Sequence, residues 1–332
     1  MITVSIICPV FNEERFIELC INSILMQDYP VEQTELILVD GMSTDSTRDL
    51  ILPYVQRYSN IQILDNPKRT APCAMNIGIR AAKGEFICRI DAHSSFPQNY
   101  ISTLLKYINI LPDASNVGAV CNTVASDSSL KAQAIAIACS HPFGVGGSTF
   151  RTTTVKSPTL VDTVPFGFWR KSLFNKIGLF DEEMTRNQDD EFNARTIQNG
   201  GKIYLVPDIY TTYFARDSIM KTAKMFYQYG LFKPVVNKKL KHPATLRQFV
   251  PLLFVLGLII GFPLACINPV LSGIYIGFIT LYLMIITAIG IKHKNLFLPI
   301  IFACMHISYG CGYIYGIIKV AFNLQFNAVV NR

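Results

Sequence analysis

The stretch FICRIDAH, residues 86–93, decides how this chain folds. Phe86 to Ile90 is a short apolar run of the kind that makes a buried strand. It passes without a break into Asp91, Ala92 and His93. A strand end is a rigid platform and the loop beyond it is exposed, so polar groups placed there can meet a ligand. Asp-x-Asp at such a place points to a divalent cation carrying phosphate. Asp-x-His is less usual, and what the imidazole does there is the question it raises.

Working outward, residues 1–215 alternate short apolar runs with helical patterns, as in an α/β protein. VSIICPV, ELILVDG, IQILDN, EFICRI, VGAVCN and KIYLVPD read as strands. EERFIELCINSILMQ, a helix opening at STDSTRDLI, TAPCAMNIGIRAAKG and DDEFNARTIQNGG read as helices. Ser43, Thr44 or Asp45 is the expected cap of the second helix and Thr70 of the third. FGVGGSTFRTTT reads as a flexible loop. In open α/β sheets, ligands gather beyond the carboxyl ends of the strands. Pro9, Asn12 and Glu13 follow the first strand, Asp40 ends the second, and Asp91 and His93 follow the fourth. The G-x-G-x-x-G turn of a nicotinamide or flavin enzyme would follow the first strand. That place holds CPVFNEE, so a polyphosphate here needs a cation to offset the acids.

The C-terminal third is different. Of the 332 residues half are apolar and 16% charged, and the apolar excess collects after residue 248. Three stretches, about 249–267, 269–291 and 296–319, reach the roughly 20 residues that a membrane helix requires. Before them, from Arg216 to Arg247, eight basic residues face one acid, which accounts for the whole net charge of +7. A basic run beside apolar spans fits the cytoplasmic side of a membrane and its anionic lipid rather than nucleic acid. The expected organisation is a catalytic domain over 1–215, a basic interfacial segment over 216–247, membrane helices over 248–320 and a tail over 321–332. MITVSIICPVFNEE lacks the basic leader of a signal peptide, so the catalytic part is expected in the cytoplasm. Nine cysteines without a CxxC pair argue for reduced thiols and against a zinc site.

Taken in order, SIICPVFNEE, ELILVDGMSTDST, NIGIRAAKGEFICRIDAH, RNQDDEF and MFYQYGLFK resemble the motifs of the family 2 inverting glycosyltransferases of the GT-A fold. The resemblance covers roughly residues 1–235. It is strongest to the succinoglycan-type, membrane-anchored group, which shares the D-A-H variant. It implies a nucleotide-sugar-binding domain with a mostly parallel, mixed sheet and flanking helices. Pro9, Asn12, Glu13, Asp40 and Asp91 would surround the nucleotide, although Glu13 reads equally as a first-turn helix acid and Asp40 as a turn acid. Asp91 and His93 would hold the cation. Imidazole suits Mn²⁺ better than Mg²⁺, so Mn²⁺ is the expected metal. The alternative leaves the metal on Asp91 alone, with His93 bonding a phosphate or a neighbour. Asp189 would be the base and Asp190 its rival, though acids also suit a helix start. Gln188 departs from the family's usual Glu-Asp pair.

An acceptor site is expected at Phe168, Trp169 and Arg170, unless these form an ordinary packed turn. Arg151 is a candidate phosphate clamp in the flexible loop. Arg89 reads as a solvated strand face. The chain is expected to move one sugar from a UDP-sugar to a lipid-linked saccharide in the cytoplasmic membrane, since the Gln-x-x-Arg-Trp of processive synthases is missing. A polyprenyl-phosphate glycosyltransferase is the enzymatic alternative. A membrane scaffold that lost the chemistry is the alternative of another class.

Overall fold

The computed structural model describes residues 1–152 and 154–326. Those residues form nine strands: β1 Val4–Val10, β2 Thr34–Asp40, β3 Ile61–Asp65, β4 Phe86–Arg89, β5 Ser94–Ser95, β6 Ala114–Val124, β7 Thr159–Leu160, β8 Phe168–Arg170 and β9 Lys202–Phe214. They make one mixed sheet in the order β3-β2-β1-β4-β8-β6-β9-β5, with β7 also on β9. The first four strands of that order are parallel. β8 is antiparallel to both its neighbours, and β5 and β7 are antiparallel to β9.

β1 and β2 are buried almost throughout. Continuous apolar runs of that kind suit parallel strands covered on both faces. Ile7, Ile37, Val39 and Ile87 share a core with Met75 and Ile79 of helix Ala71–Ala81 and with Trp169, Phe174, Phe180 and Phe192.

Several local expectations need correction. The stretch read as a flexible Gly/Thr loop holds two short helical turns, Pro142–Val145 and Thr149–Thr152; Thr153 lies outside the described residues. The first helix starts at Ile17 rather than at the Glu13–Glu14 pair. Ser46 stands at the cap position before Thr47, and Thr70 before Ala71; neither makes a side-chain cap bond. Asp45 instead accepts from Thr47 N and Oγ1 at 3.1 and 2.5 Å. The strand Phe168–Arg170 was not foreseen.

The chain divides into two compact units, and the boundary does not fall at one point. Residues 1–122 and 154–213 make the first; residues 123–152 join 214–326 in the second. In the second unit the basic segment forms helix Ile219–Leu240. Helices Phe249–Ile267, Pro269–Lys292 and Leu298–Ala321 follow, each long and apolar enough to cross a membrane. Helix Leu130–Ser140 buries Ile135 and Ala138 in one cluster with Phe226, Ile301, Phe302 and Met305. Of the expected tail, residues 327–332 lie outside the described residues. None of the nine cysteines is in a disulfide, and Cys8, Cys20, Cys73, Cys88, Cys121 and Cys139 are buried.

Candidate active site

The site lies in the first unit, at the carboxyl ends of β1, β2 and β4, where the strands give way to loops. The loop after β1 is laced to the loop after β2. Asn12, in the left-handed region at φ 53°, donates its backbone N–H to Ser43 Oγ at 2.9 Å. Its side-chain oxygen accepts from Thr44 N at 2.8 Å. Glu13 N reaches Thr47 Oγ1 at 2.8 Å. Pro9, near the end of β1, is half-buried opposite Val39.

Asp40, expected beside the nucleotide, is held inside the loop. Its side chain is 0% exposed. One carboxylate oxygen accepts from Ser43 Oγ at 2.6 Å and the other from Arg48 Nη1 at 2.7 Å. Arg48 also holds Asp65 at 2.7 Å. Asp40 therefore braces the loop from inside.

Glu13 does not lie in the first turn of the helix. It precedes the helix, and its carboxylate meets His93 Nδ1 at 3.0 Å. An ionised carboxylate can only accept, so Nδ1 carries a proton, and in the neutral imidazole that leaves the lone pair on Nε2. The imidazole edge also packs on Tyr213, centroids 5.3 Å apart. A carboxylate that fixes the tautomer and ring direction of a histidine is the usual outer support of a metal-binding imidazole.

Arg89 is the residue that sequence reasoning placed on a solvated face, and it is buried. Its Nε and Nη2 donate to Asp91 Oδ1 at 3.2 and 3.1 Å, and its Nη1 pairs with Asp189 Oδ1. Burial works against its charge, but the two carboxylates outweigh that and hold it protonated. The signal was present in the sequence: a guanidinium in an apolar strand must find an anion, because a buried unpaired charge is too costly.

Asp189 sits in the first turn of helix Gln188–Gln198, after Asn187 in a left-handed conformation. Burial pushes its carboxyl up; Arg89 opposes this, Asp91 and Asp190 add to it, and the result is about 6. Glu191 is not a site residue: it is buried and takes Arg195 in two bonds of 2.7 and 2.9 Å. The helix is held in turn by a polar chain. Asn116 donates to Asn193 at 2.9 Å, Asn193 donates to Thr163 at 2.7 Å, and Asn116 accepts from Phe168 N at 3.0 Å.

Phe168 and Trp169 are not available to stack on a sugar. They are 0% and 2% exposed, on β8 in the middle of the sheet. Trp169 packs edge-on to Phe174, Phe180 and Phe192. Gly167 lies against the indole so closely that a Cβ there would come within 2.0 Å of the ring. Arg170 pairs in register with Phe86, at the opposite end of β4 from Asp91, and bonds Asn109 at 2.9 Å. Arg151, in the second unit, lies over Phe150 and reaches Thr123 Oγ1 at 3.4 Å.

Among the described residues no three His, Cys, Asp or Glu side chains converge on one point. Asp91 and His93 offer one carboxylate and one oriented imidazole. That set fits a cation that takes its other ligands from a bound diphosphate and water.

A sheet of this order, carrying acids at the ends of its parallel strands, is a GT-A nucleotide-sugar-binding domain. The chain belongs to the Glycosyl transferase family 2, whose family model matches residues 5–178. It is 31% identical over 328 residues to the dolichyl N-acetyl-alpha-D-glucosaminyl phosphate 3-beta-D-2,3-diacetamido-2,3-dideoxy-beta-D-glucuronosyltransferase of Methanococcus voltae, covering 95% of this chain and 97% of that one. It is 30% identical over 255 residues to the succinoglycan biosynthesis protein ExoA of Rhizobium meliloti (strain 1021), 74% of each chain. Among solved structures it resembles the mannosyltransferase PcManGT from Pyrobaculum calidifontis in complex with GDP-Man and Mn²⁺. The TM-score is 0.60 at 16% identity, over 96% of this chain and 87% of that one. The protein is a glycosyltransferase.

Proposed function

We propose that this membrane-bound glycosyltransferase moves one sugar, with inversion, from a nucleoside-diphosphate sugar to a lipid-linked saccharide. The observation that carries the reading is the single guanidinium of Arg89 between Asp91 and Asp189. It brings a carboxylate suited to the diphosphate side and a carboxylate suited to the acceptor side onto one site. The M. voltae relative, named for a dolichyl-phosphate sugar acceptor and similar over nearly the whole chain, supports the lipid-linked class. UDP is the nucleotide expected from the motifs, and GDP is the competitor that the PcManGT complex raises.

Asp91 and Nε2 of His93 would hold a divalent cation, with Mn²⁺ favoured by the imidazole; when bound, it supplies positive charge to the leaving diphosphate. Asp189 takes the proton of the acceptor hydroxyl. The acceptor oxygen then bonds the anomeric carbon from the face opposite the diphosphate. The carbon–oxygen bond to the diphosphate breaks, and its electron pair leaves with that group. Arg89 keeps Asp189 directed into the site between turnovers.

The test is release of nucleoside diphosphate from a panel of UDP- and GDP-sugars by the detergent-solubilised protein, with Mn²⁺, Mg²⁺ or EDTA and a short lipid-linked acceptor. Acceptor-dependent release from one donor, lost in Asp189→Asn, is expected. Release that Asp189→Asn leaves intact would overturn the assignment of the base.

A further inference from the structure

Helix Leu298–Ala321 is apolar and 24 residues long, which by length alone makes it a third span. Its neighbours say otherwise. Helices Phe249–Ile267 and Pro269–Lys292 form an antiparallel hairpin: Phe254 packs on Phe278, and nearer the closed end Tyr275 reaches Leu258 O at 3.3 Å. The following helix meets that hairpin at its open end. Pro299 lies against Gly290, and His306 bonds Tyr282 at 2.9 Å. Gly310 abuts Pro251 O and Val255, and Tyr313 reaches Gln248 at 3.3 Å with its ring tilted against that of Phe249, centroids 5.9 Å apart. A span running outward from Leu298 would carry Tyr313 about 22 Å deep at 1.5 Å per residue, beside the middle of the hairpin. Instead Tyr313 sits where the first span begins. Over about 21 Å the helix passes from the open end of one span to the open end of the other.

A second observation is independent of that path. Helix Ile219–Leu240 runs alongside in the same direction, with Ile219 at Cys304, Tyr227 at Gly312, Leu231 at Gly316 and Lys238 at Asn323. It carries exposed Lys221, Lys224, Lys238 and Lys239. Were its partner to cross the bilayer, Lys221 and Lys224, level with the middle of that helix, would be drawn into hydrocarbon, each costing roughly 2.5–3.5 kcal/mol at the centre. The burial agrees: 39% of the most apolar 18-residue stretch of the third helix is buried within the protein, against 11% in each hairpin helix. Most of what the third helix leaves exposed falls on one stripe, with Tyr315 at its edge and Ile317 off it. Ile300, Ile307, Cys311, Ile318 and Phe322 fall within about 60° of one line at 3.6 residues per turn.

We propose that helix Leu298–Ala321 lies in the plane of the membrane interface, across the open end of a two-helix transmembrane hairpin. Its apolar stripe faces the lipid tails, and the lysines of helix Ile219–Leu240 face anionic headgroups. The chain then crosses the bilayer twice, and its C-terminal end lies on the same side as its N-terminal residues.

The test uses the full chain with one epitope before Met1 and another after Arg332, in intact spheroplasts and in inverted membrane vesicles. Protease treatment is read on both epitopes. Native Cys266, exposed at the closed end of the hairpin, is read with a membrane-impermeant maleimide. Both epitopes should be lost together in inverted vesicles and protected in spheroplasts, with Cys266 labelled in spheroplasts only. A C-terminal epitope that follows Cys266 would establish three spans and overturn the proposal. So would Cys266 labelled on the same side as the epitopes, since the hairpin would not cross. Neither outcome depends on the reaction assigned to the site.

Discussion

Arg89 and Asp189, 100 residues apart in the chain, form an ion pair in the candidate site, and the same guanidinium holds Asp91. Replacing Arg89 by Met should leave two carboxylates facing each other without their cation. The expected cost in stability is about 3 kcal/mol, the low end for a broken buried pair because Asp189 is 35% exposed. Activity should fall, and its acid limb should move upward. Thermal unfolding and a pH profile check both; an unmoved limb would remove Arg89 from any influence on the base.

Asp189 titrates at about 6 in the folded protein, raised by burial first and by Asp91 and Asp190 after it, against the pull of Arg89. A base must be ionised, so kcat should rise with pH through about 6 and then level. The sign for stability is opposite. The folded value lies above the unfolded one of about 3.9. This group's contribution to stability is therefore full below about pH 4 and lost as pH rises through about 6. In Asp189→Asn, kcat should drop about 10³-fold while donor affinity stays within about twofold. The same loss in Asp190→Asn instead would move the base by one residue.

Glu13→Gln should weaken cation binding without touching the cation itself, because the carboxylate that orients His93 becomes an amide. A loss of about 10- to 100-fold in Mn²⁺ affinity is expected, read by Mn²⁺ electron paramagnetic resonance in the presence of nucleoside diphosphate. His93→Asp should shift the preference toward Mg²⁺. Unchanged Mn²⁺ affinity in both variants would leave Asp91 as the only protein ligand.

Asp40→Asn should act on stability more than on the donor. The carboxylate is buried against Ser43 and Arg48, so unfolding should come earlier by several degrees. Donor affinity, measured on the fraction that remains folded, should change less than threefold. A selective loss of nucleotide affinity at unchanged stability would return Asp40 to the ligand.

Much of the fold was legible because parallel strands advertise themselves: VSIICPV, ELILVD and FICRI are too apolar to be anything but interior, and each leads to a polar end. β8 was hidden for the opposite reason. Three residues, Phe168–Arg170, carry no period, and the Gly167 kink before them reads as a turn. Once β8 is seen as an inner strand, Phe168 and Trp169 become core. The site was legible in its residue types and not in its partners. Asp40 and Glu13 are acids in the right loops, but Arg48 and His93 decide where their oxygens go, and those contacts join residues 8 and 80 positions apart. The helical turns at Pro142–Val145 and Thr149–Thr152 were masked by a Gly- and Thr-rich composition that by itself favours a loop.

Helices Ile219–Leu240 and Leu298–Ala321 touch main chain to main chain: a Cβ on Gly230 would come within 2.0 Å of Tyr309 O, and one on Gly312 within 2.1 Å of Tyr227 O. At these glycines no side chain separates the two backbones, and the pair behaves as one plank. The offset between lysines on one helix and apolar stripe on the other is set by backbone atoms that no rotamer can alter. Such a plank is a depth gauge. On the interfacial placement proposed above, it would hold the two hairpin helices at one depth in the bilayer.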